Sequence, residues 1–72
     1  MKIDMAALRK AHGLTQMELG ERVGIAQRTV AAYESGERRP SIDVAQRLAK
    51  ELGAAWPDFF DESEEPESEV QG

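Results

Sequence analysis

Few side chains in this sequence could make or break a covalent bond. Its 72 residues include no cysteine and a single histidine, His12, so neither a thiolate zinc site nor a histidine metal cluster can form. The sequence also offers no pairing of a nucleophile with a base and no glycine-rich phosphate loop. His12 precedes Gly13 at the predicted end of a helix, where a partial positive charge is favourable. We therefore expect no enzyme, no bound metal and no cofactor.

The chemistry that remains is binding chemistry. Glutamine can form two hydrogen bonds with the edge of adenine, and arginine can do the same with guanine. Arginine also pairs well with phosphate oxygens. Gln27, Arg28, Arg38 and Arg39 carry these groups within one short stretch. Such residues would suit a nucleic-acid surface if the fold presents them together.

The net charge of −5 argues against nucleic acid until it is divided along the chain. From Asp58 to Gly72 there are seven acids and no lysine or arginine, which gives −7. Residues 1–57 hold all nine basic residues against seven acids, which leaves +2. After Phe60 the only sizeable apolar residue is Val70, too little to repay the entropy of ordering. We predict a domain at residues 1–60 and a flexible acidic tail at residues 61–72.

Length and composition limit the remaining classes of protein. A chain of this size, 40% hydrophobic, is expected to form one small domain with a modest core. No run approaches the roughly 18 apolar residues of a membrane span, and the first residues do not look like a signal peptide. Without cysteines there is no disulfide framework, so we expect a cytoplasmic protein whose stability comes from packing.

Helical patterns recur along the chain, and no useful stretch alternates with the period of a strand. The predicted helices cover about residues 4–12, 15–23, 27–34, 41–52 and 57–60. Thr15 and Glu18 predict a capping box at the start of the second helix, and Gly24 predicts its end. Ser41 is a good cap for the fourth helix. Because the connections are short, the sequence predicts a compact all-α bundle of five helices.

The most informative stretch runs from Gln16 to Glu34. Two short helices that meet at a steep angle need a small residue facing the partner helix, which Gly20 supplies. The tight turn between them needs a residue tolerant of positive φ, which is Gly24. Apolar side chains must fill the angle, and five fall at positions that point there: Leu19, Val23, Ile25, Val30 and Tyr33. Together these features form a helix-turn-helix pattern.

This stretch and its flanks resemble the Cro/phage-repressor family of helix-turn-helix domains, also called XRE-type. The matching segments are LRKAHGLTQMEL at 8–19, VGIAQRTVAAYESGERRPS at 23–41 and LAKELG at 48–53. The resemblance covers about residues 3–60 and implies a five-helix, lambda-repressor-like DNA-binding domain. It also implies a transcriptional regulator that binds double-stranded DNA at a two-fold symmetric operator as a homodimer. We expect a repressor, because so small a domain leaves no room for a ligand-sensing module.

The resemblance assigns roles to particular residues. In a helix-turn-helix the second helix enters the major groove, and its N-terminal residues reach base edges. The candidates for base contacts are Gln27, Arg28, Thr29 and Ala32. The candidates for phosphate contacts are Gln16, at the start of the first helix of the pair, and Ser35, Arg38 and Arg39, after the second. A solvated basic loop is the alternative for the last two. Glu37 departs from a family position that is often basic, so it should weaken backbone affinity.

Two further groups of residues have competing interpretations. The family pattern suggests that Arg9 and Glu34 form a partly buried ion pair between the first and third helices, and a surface pair is the alternative. The aromatic residues Trp56, Phe59 and Phe60 could be the lid on a small core or a dimer interface.

A function of another class also stays open. The acidic tail could occupy a basic surface on a protein partner, as in an antitoxin-like or adaptor protein. Acidic tails more often keep a protein soluble or compete with its own ligand, so DNA binding is the leading hypothesis.

Overall fold

The structure, a computed structural model, describes residues 1–60. Its elements are α1 Met5–Ala11, α2 Gln16–Val23, α3 Gln27–Ser35, α4 Ile42–Leu52 and a 3-10 turn, Trp56–Phe59. No strand occurs among residues 1–60, so the predicted all-α class is confirmed. The predicted acidic tail at residues 61–72 lies outside the described residues.

The fifth predicted helix is a 3-10 turn. Its backbone bonds run from Asp58 to the Ala55 carbonyl at 3.0 Å and from Phe60 to the Pro57 carbonyl at 3.2 Å. Both bonds join residues three apart, which is the 3-10 pattern that short helical elements often adopt. The predicted five-helix bundle is therefore four α-helices and a terminal turn.

Side chains fix where three of the four helices begin. The carboxylate of Asp4 and the hydroxyl of Ser41 each accept a hydrogen bond from the N–H three residues along, at 3.1 and 3.2 Å. At α2, Thr15 and Glu18 form the predicted capping box, with reciprocal bonds of 3.0 and 2.9 Å. The exception is α3, whose N-cap residue Ala26 offers no side-chain bond.

The core is built from one apolar side of each element. Its buried apolar side chains are Met5, Leu14, Leu19, Val23, Val30, Tyr33, Ala45, Leu48, Ala49, Leu52, Phe59 and Phe60. Four of these belong to α4 and repeat at three- and four-residue intervals, so they form one continuous stripe. The apolar residues predicted to fill the angle between α2 and α3 are buried as well, except that Ile25 is half-buried.

The aromatic residues Trp56, Phe59 and Phe60 cover one side of this core. Phe59 has no exposed surface and Phe60 is 7% exposed. Trp56 is half-buried, and its ring meets that of Phe60 edge to face at a centroid distance of 6.3 Å. Phe59 and Phe60 therefore form the lid of the core, and their assignment to a dimer interface is wrong because they have almost no surface left to offer. Of the three, only Trp56 is partly exposed.

Candidate nucleic-acid interface

The connection between α2 and α3 is a three-residue turn that glycine makes possible. Gly24 adopts φ 80° and ψ 31°, in the left-handed region that residues with a Cβ rarely occupy. The N–H groups of Gly24 and Ile25 both donate to the Gly20 carbonyl, at 2.8 and 2.9 Å. These bonds end α2 and direct the chain into α3 within three residues.

Gly20 is required for a different reason from the one the sequence suggested. A Cβ atom at this position would lie 2.5 Å from the carbonyl oxygen of Ile25. The close approach is thus to the backbone of the turn, and not to a side of the partner helix as predicted. Backbone cannot rotate away as a side chain can, so any larger residue would displace the start of α3.

The N-terminal half of α3 presents a polar surface to solvent. Gln27 and Arg28 are exposed, and Thr29 and Ala32 are partly exposed. Val30 on the opposite side has no exposed surface. The first N–H groups of a helix have no partner within the helix, and here no N-cap side chain bonds to them. Two side chains that suit base edges therefore stand beside an end of the helix dipole that favours anions.

The other end of α3 is held by a buried ion pair. Arg9 Nε lies 2.7 Å from Glu34 Oε2, and Arg9 Nη2 lies 3.3 Å from Glu34 Oε1. The two side chains are only 10% and 9% exposed. The remaining guanidinium nitrogen, Nη1, donates to the Leu14 carbonyl at 2.9 Å. This two-point contact fixes α3 to α1 and leaves the buried guanidinium well supplied with acceptors.

Gln16 joins the same network, which the sequence reasoning missed. Its Nε2 donates to Glu34 Oε1 at 3.0 Å, so the start of α2 is bonded to the end of α3. An amide nitrogen carries two N–H groups, and Glu34 takes one of them. The second N–H is left for another acceptor while Glu34 holds the amide in one orientation.

The pKa values of the paired residues follow from these contacts. Burial alone would raise the pKa of Glu34, but hydrogen bonds from Arg9 and Gln16 outweigh it and hold that pKa below its ordinary value. The hydrogen bond to Glu34 raises the pKa of Arg9 despite burial. Both groups are therefore charged throughout the neutral range.

The last residue of α3 and the loop after it carry the other predicted phosphate contacts. Arg38 and Arg39 are exposed, and the next residue, Pro40, is fully buried. The hydroxyl of Ser35 donates to the Ala32 carbonyl at 3.1 Å and accepts from the Glu37 N–H at 3.4 Å. Ser35 therefore shapes the loop in this structure.

Arg47 is a second residue whose position the sequence reasoning missed. From α4 its Nη1 donates to the Val23 carbonyl at 3.0 Å, and its Nη2 bonds to Asp43 one turn earlier. The contact satisfies a carbonyl at the end of α2, beside the turn that leads into α3. The i, i+4 spacing of Asp43 and Arg47 is typical of a pair on one helix, but nothing local to Arg47 points to the link to α2.

A short helix, a glycine turn and a second helix with an exposed polar N-terminal face define a helix-turn-helix domain. The chain belongs to the helix-turn-helix family of the Cro/phage-repressor (XRE) type, and the helix-turn-helix family model matches residues 5–59. None of the helices formed by residues 1–60 is long and apolar enough to cross a membrane.

Relatives of this chain occur in archaea and bacteria. One, from Methanothermobacter thermautotrophicus, is 51% identical over 45 residues, which are 62% of this chain and 65% of the relative. Another, from Methanocaldococcus jannaschii, is 35% identical over 83% of this chain and 91% of its own. The Bacillus subtilis protein YgzD is 38% identical over the same shares. All three are named uncharacterized HTH-type transcriptional regulators. No solved structure matches this chain significantly.

Proposed function

We propose that this chain is a sequence-specific DNA-binding transcriptional regulator. The observation that carries the proposal is the N-terminal face of α3, where exposed Gln27 and Arg28 adjoin backbone N–H groups without a side-chain cap. The names of the relatives as transcriptional regulators support the same function.

In this proposal α3 lies in the major groove and α2 crosses the backbone. Gln27 and Arg28 contact base edges, each good bidentate pair contributing about 1–3 kcal/mol of discrimination between bases. Thr29 and Ala32 are only partly exposed, so they act at the margin, Ala32 through its methyl group. The Arg9–Glu34 pair contacts no DNA and keeps the axis of α3 fixed relative to α1.

The phosphate contacts come from both sides of α3. Gln16 uses the amide N–H that Glu34 leaves available, next to the N-terminus of α2. Arg38 and Arg39 approach the backbone from the loop, and Ser35 contributes if its hydroxyl turns away from Ala32. Phosphate contacts position the protein without selecting a sequence. Substituting Arg38 should thus weaken all sites alike and reduce the slope of log affinity against log salt by about 0.9.

We further propose that two copies bind a two-fold symmetric operator. Residues 1–60 hold nine basic residues against eight acids, a net charge of +1, so one copy would hold DNA weakly. Two copies with their α3 helices about 34–36 Å apart would enter successive major grooves. Trp56 supplies apolar surface for a contact between copies. If the operator overlaps a promoter, the bound dimer would block other proteins from that promoter. We propose that the chain represses transcription in this way.

The experiment is a selection of binding sites from random double-stranded DNA with the full chain. We expect one sequence to be enriched, with two inverted half-sites whose centres are about 10 base pairs apart. Enrichment of a single half-site would contradict the dimer but not DNA binding. Recovery of no preferred sequence would contradict the proposed function.

Two variants sharpen the selection. Arg28→Ala should change the preferred base at one position of each half-site, because it removes a bidentate contact. Lys50→Ala is the matched control, since Lys50 is an exposed cation on α4 and its loss should leave the selected sequence unchanged. An unchanged sequence with Arg28→Ala would contradict the assignment of the base-contacting face.

A further inference from the structure

The positive charge of the described residues is concentrated on one segment. Three arginines lie between residues 27 and 40, namely Arg28, Arg38 and Arg39, and the acids there are Glu34 and Glu37. Glu34 is neutralised by its ion pair with Arg9, so this segment presents a net charge of +2. With Arg9 set aside as the partner of Glu34, the other side chains of residues 1–60 hold five cations and six acids, a net charge of −1. We define the exposed side of α3 with the loop through Arg39 as the α3 surface.

Residues 61–72 have the opposite charge. They hold six acids and no lysine or arginine. We propose that this acidic segment docks on the α3 surface of its own chain and competes with DNA for it. The inference rests on the proposed function, because the α3 surface is also the proposed DNA-binding face.

The chain is long enough for this contact. Twelve residues span at most about 40 Å when extended, which exceeds the longest dimension of the domain, 35 Å. The segment begins directly after Phe60, which is buried, so its starting point is fixed to the core. The last acids of the segment can therefore lie about as far from Phe60 as the domain is long.

Charge decides where the segment docks. Outside the α3 surface the net charge of residues 1–60 is slightly negative, so an acidic segment is attracted to the α3 surface and not to the rest of the domain. Carboxylates suit the same groups as phosphates do, namely guanidinium forks and the uncapped N–H groups of a helix. A competitor tethered to its own target acts at a local concentration in the millimolar range. Weak individual contacts would therefore be enough to reduce DNA binding.

The test compares the full chain with a full-length variant in which the segment has lost its charge. The six substitutions are Asp61→Asn, Glu62→Gln, Glu64→Gln, Glu65→Gln, Glu67→Gln and Glu69→Gln. Without DNA, the two proteins should differ in the backbone amide NMR shifts of the α3 surface, and 0.5 M salt should remove the differences. With the selected operator, the uncharged variant should bind about three- to tenfold more tightly at low salt.

A thermodynamic cycle separates contact from general repulsion of DNA. In a background of Arg28→Ala the gain on neutralising the segment should shrink, because one docking group is gone. The matched control is Lys50→Ala, which removes a cation outside the α3 surface and should leave the gain unchanged. Equal gains in both backgrounds would mean long-range repulsion and would overturn the docking.

The outcomes distinguish the inference from the function on which it rests. If both proteins select the same operator with equal affinity and their α3 amides do not differ, the inference is wrong and the function stands. Shift differences confined to other cationic parts of the domain, such as Lys10, would also overturn it. If neither protein selects any DNA sequence, the proposed function fails, and the amide shifts alone decide whether the segment docks.

Discussion

The two ends of α3 differ in almost every physical respect. At the N-terminal end Gln27 and Arg28 are exposed, and the first backbone N–H groups have no side-chain cap. Near the C-terminal end Glu34 is 9% exposed at its side chain and accepts hydrogen bonds from Arg9 and Gln16. The helix is anchored by its last turn so that its first turn can be left open to a ligand. Substitutions at the two ends should therefore change different measured quantities, namely folding free energy at one and base preference at the other.

The largest effect should come from breaking the anchored end. Glu34→Ala leaves the Arg9 guanidinium buried with the Leu14 carbonyl as its remaining acceptor, a loss of about 3–5 kcal/mol in the free energy of unfolding. Urea denaturation followed by circular dichroism measures it. Glu37→Ala is the control, because Glu37 is exposed three residues away and should cost less than about 0.5 kcal/mol. Similar losses in the two variants would mean that the buried pair contributes no more than a surface charge.

A second large effect should come from the turn. In Gly20→Ala the new methyl group would meet the Ile25 carbonyl oxygen at 2.5 Å, and relieving such overpacking costs about 1–3 kcal/mol. Alanine is the better helix former by about 1 kcal/mol, and this gain opposes the cost of overpacking. We expect a net loss in the free energy of unfolding by urea denaturation. A more stable Gly20→Ala variant would show that the turn can move aside at little cost.

The open end should respond in the opposite way. Arg28→Ala should change the free energy of unfolding by less than about 0.5 kcal/mol, because the side chain is exposed. The same change should reduce discrimination at one base of each half-site by about 1–3 kcal/mol. Competition binding against all four bases at that position measures the second quantity. A large loss of stability in this variant would contradict the assignment of stability to one end of α3 and base preference to the other.

The pH dependence of folding tests the anchored end without removing any atom. The pKa of Glu34 is lower in the folded chain, so the unfolded chain binds the proton more readily. The stability from this charge is complete above the ordinary pKa of a glutamate and is lost as pH falls through the lowered folded value. The difference in unfolding free energy between the parent and Glu34→Gln should therefore narrow between pH 7 and pH 3. A constant difference would mean that the carboxylate charge contributes nothing.

Local patterns in the sequence predicted most of the fold because the signals act over a few residues. The capping box of Thr15 and Glu18 and the stop at Gly24 depend only on neighbouring backbone. The 3-10 form of the last turn was not predicted, because the aromatic spacing there fits either kind of helix. For Phe59 and Phe60 the sequence allows both a core and an interface role, because composition does not say which apolar residues a small core can enclose.

The candidate site was predictable in outline, but contacts between distant residues were not. The side of α3 that carries Gln27 and Arg28 follows from helical periodicity. The bond from Gln16 to Glu34 and that from Arg47 to the Val23 carbonyl join residues 18 and 24 positions apart. Such contacts depend on how the helices pack, which no local pattern specifies. The family resemblance suggested the pairing of Arg9 with Glu34, and the structure adds that Gln16 shares the same carboxylate.

A small loss of stability is expected at a second ion pair, which has a similar length but more exposed surroundings. Arg22 Nη1 lies 2.9 Å from Glu51 Oε2, close to the 2.7 Å of the Arg9–Glu34 contact, but its side chain is 57% exposed. Water screens this pair, so Arg22→Ala should cost about 0.2–1 kcal/mol by urea denaturation, and less at high salt. The two pairs differ far more in burial than in distance. A loss several-fold larger for Glu34→Ala than for Arg22→Ala would therefore show that burial sets their contributions to stability. Equal losses would instead assign the stability of the α3 anchor to packing, and the carboxylate of Glu34 would then matter mainly for orienting Gln16.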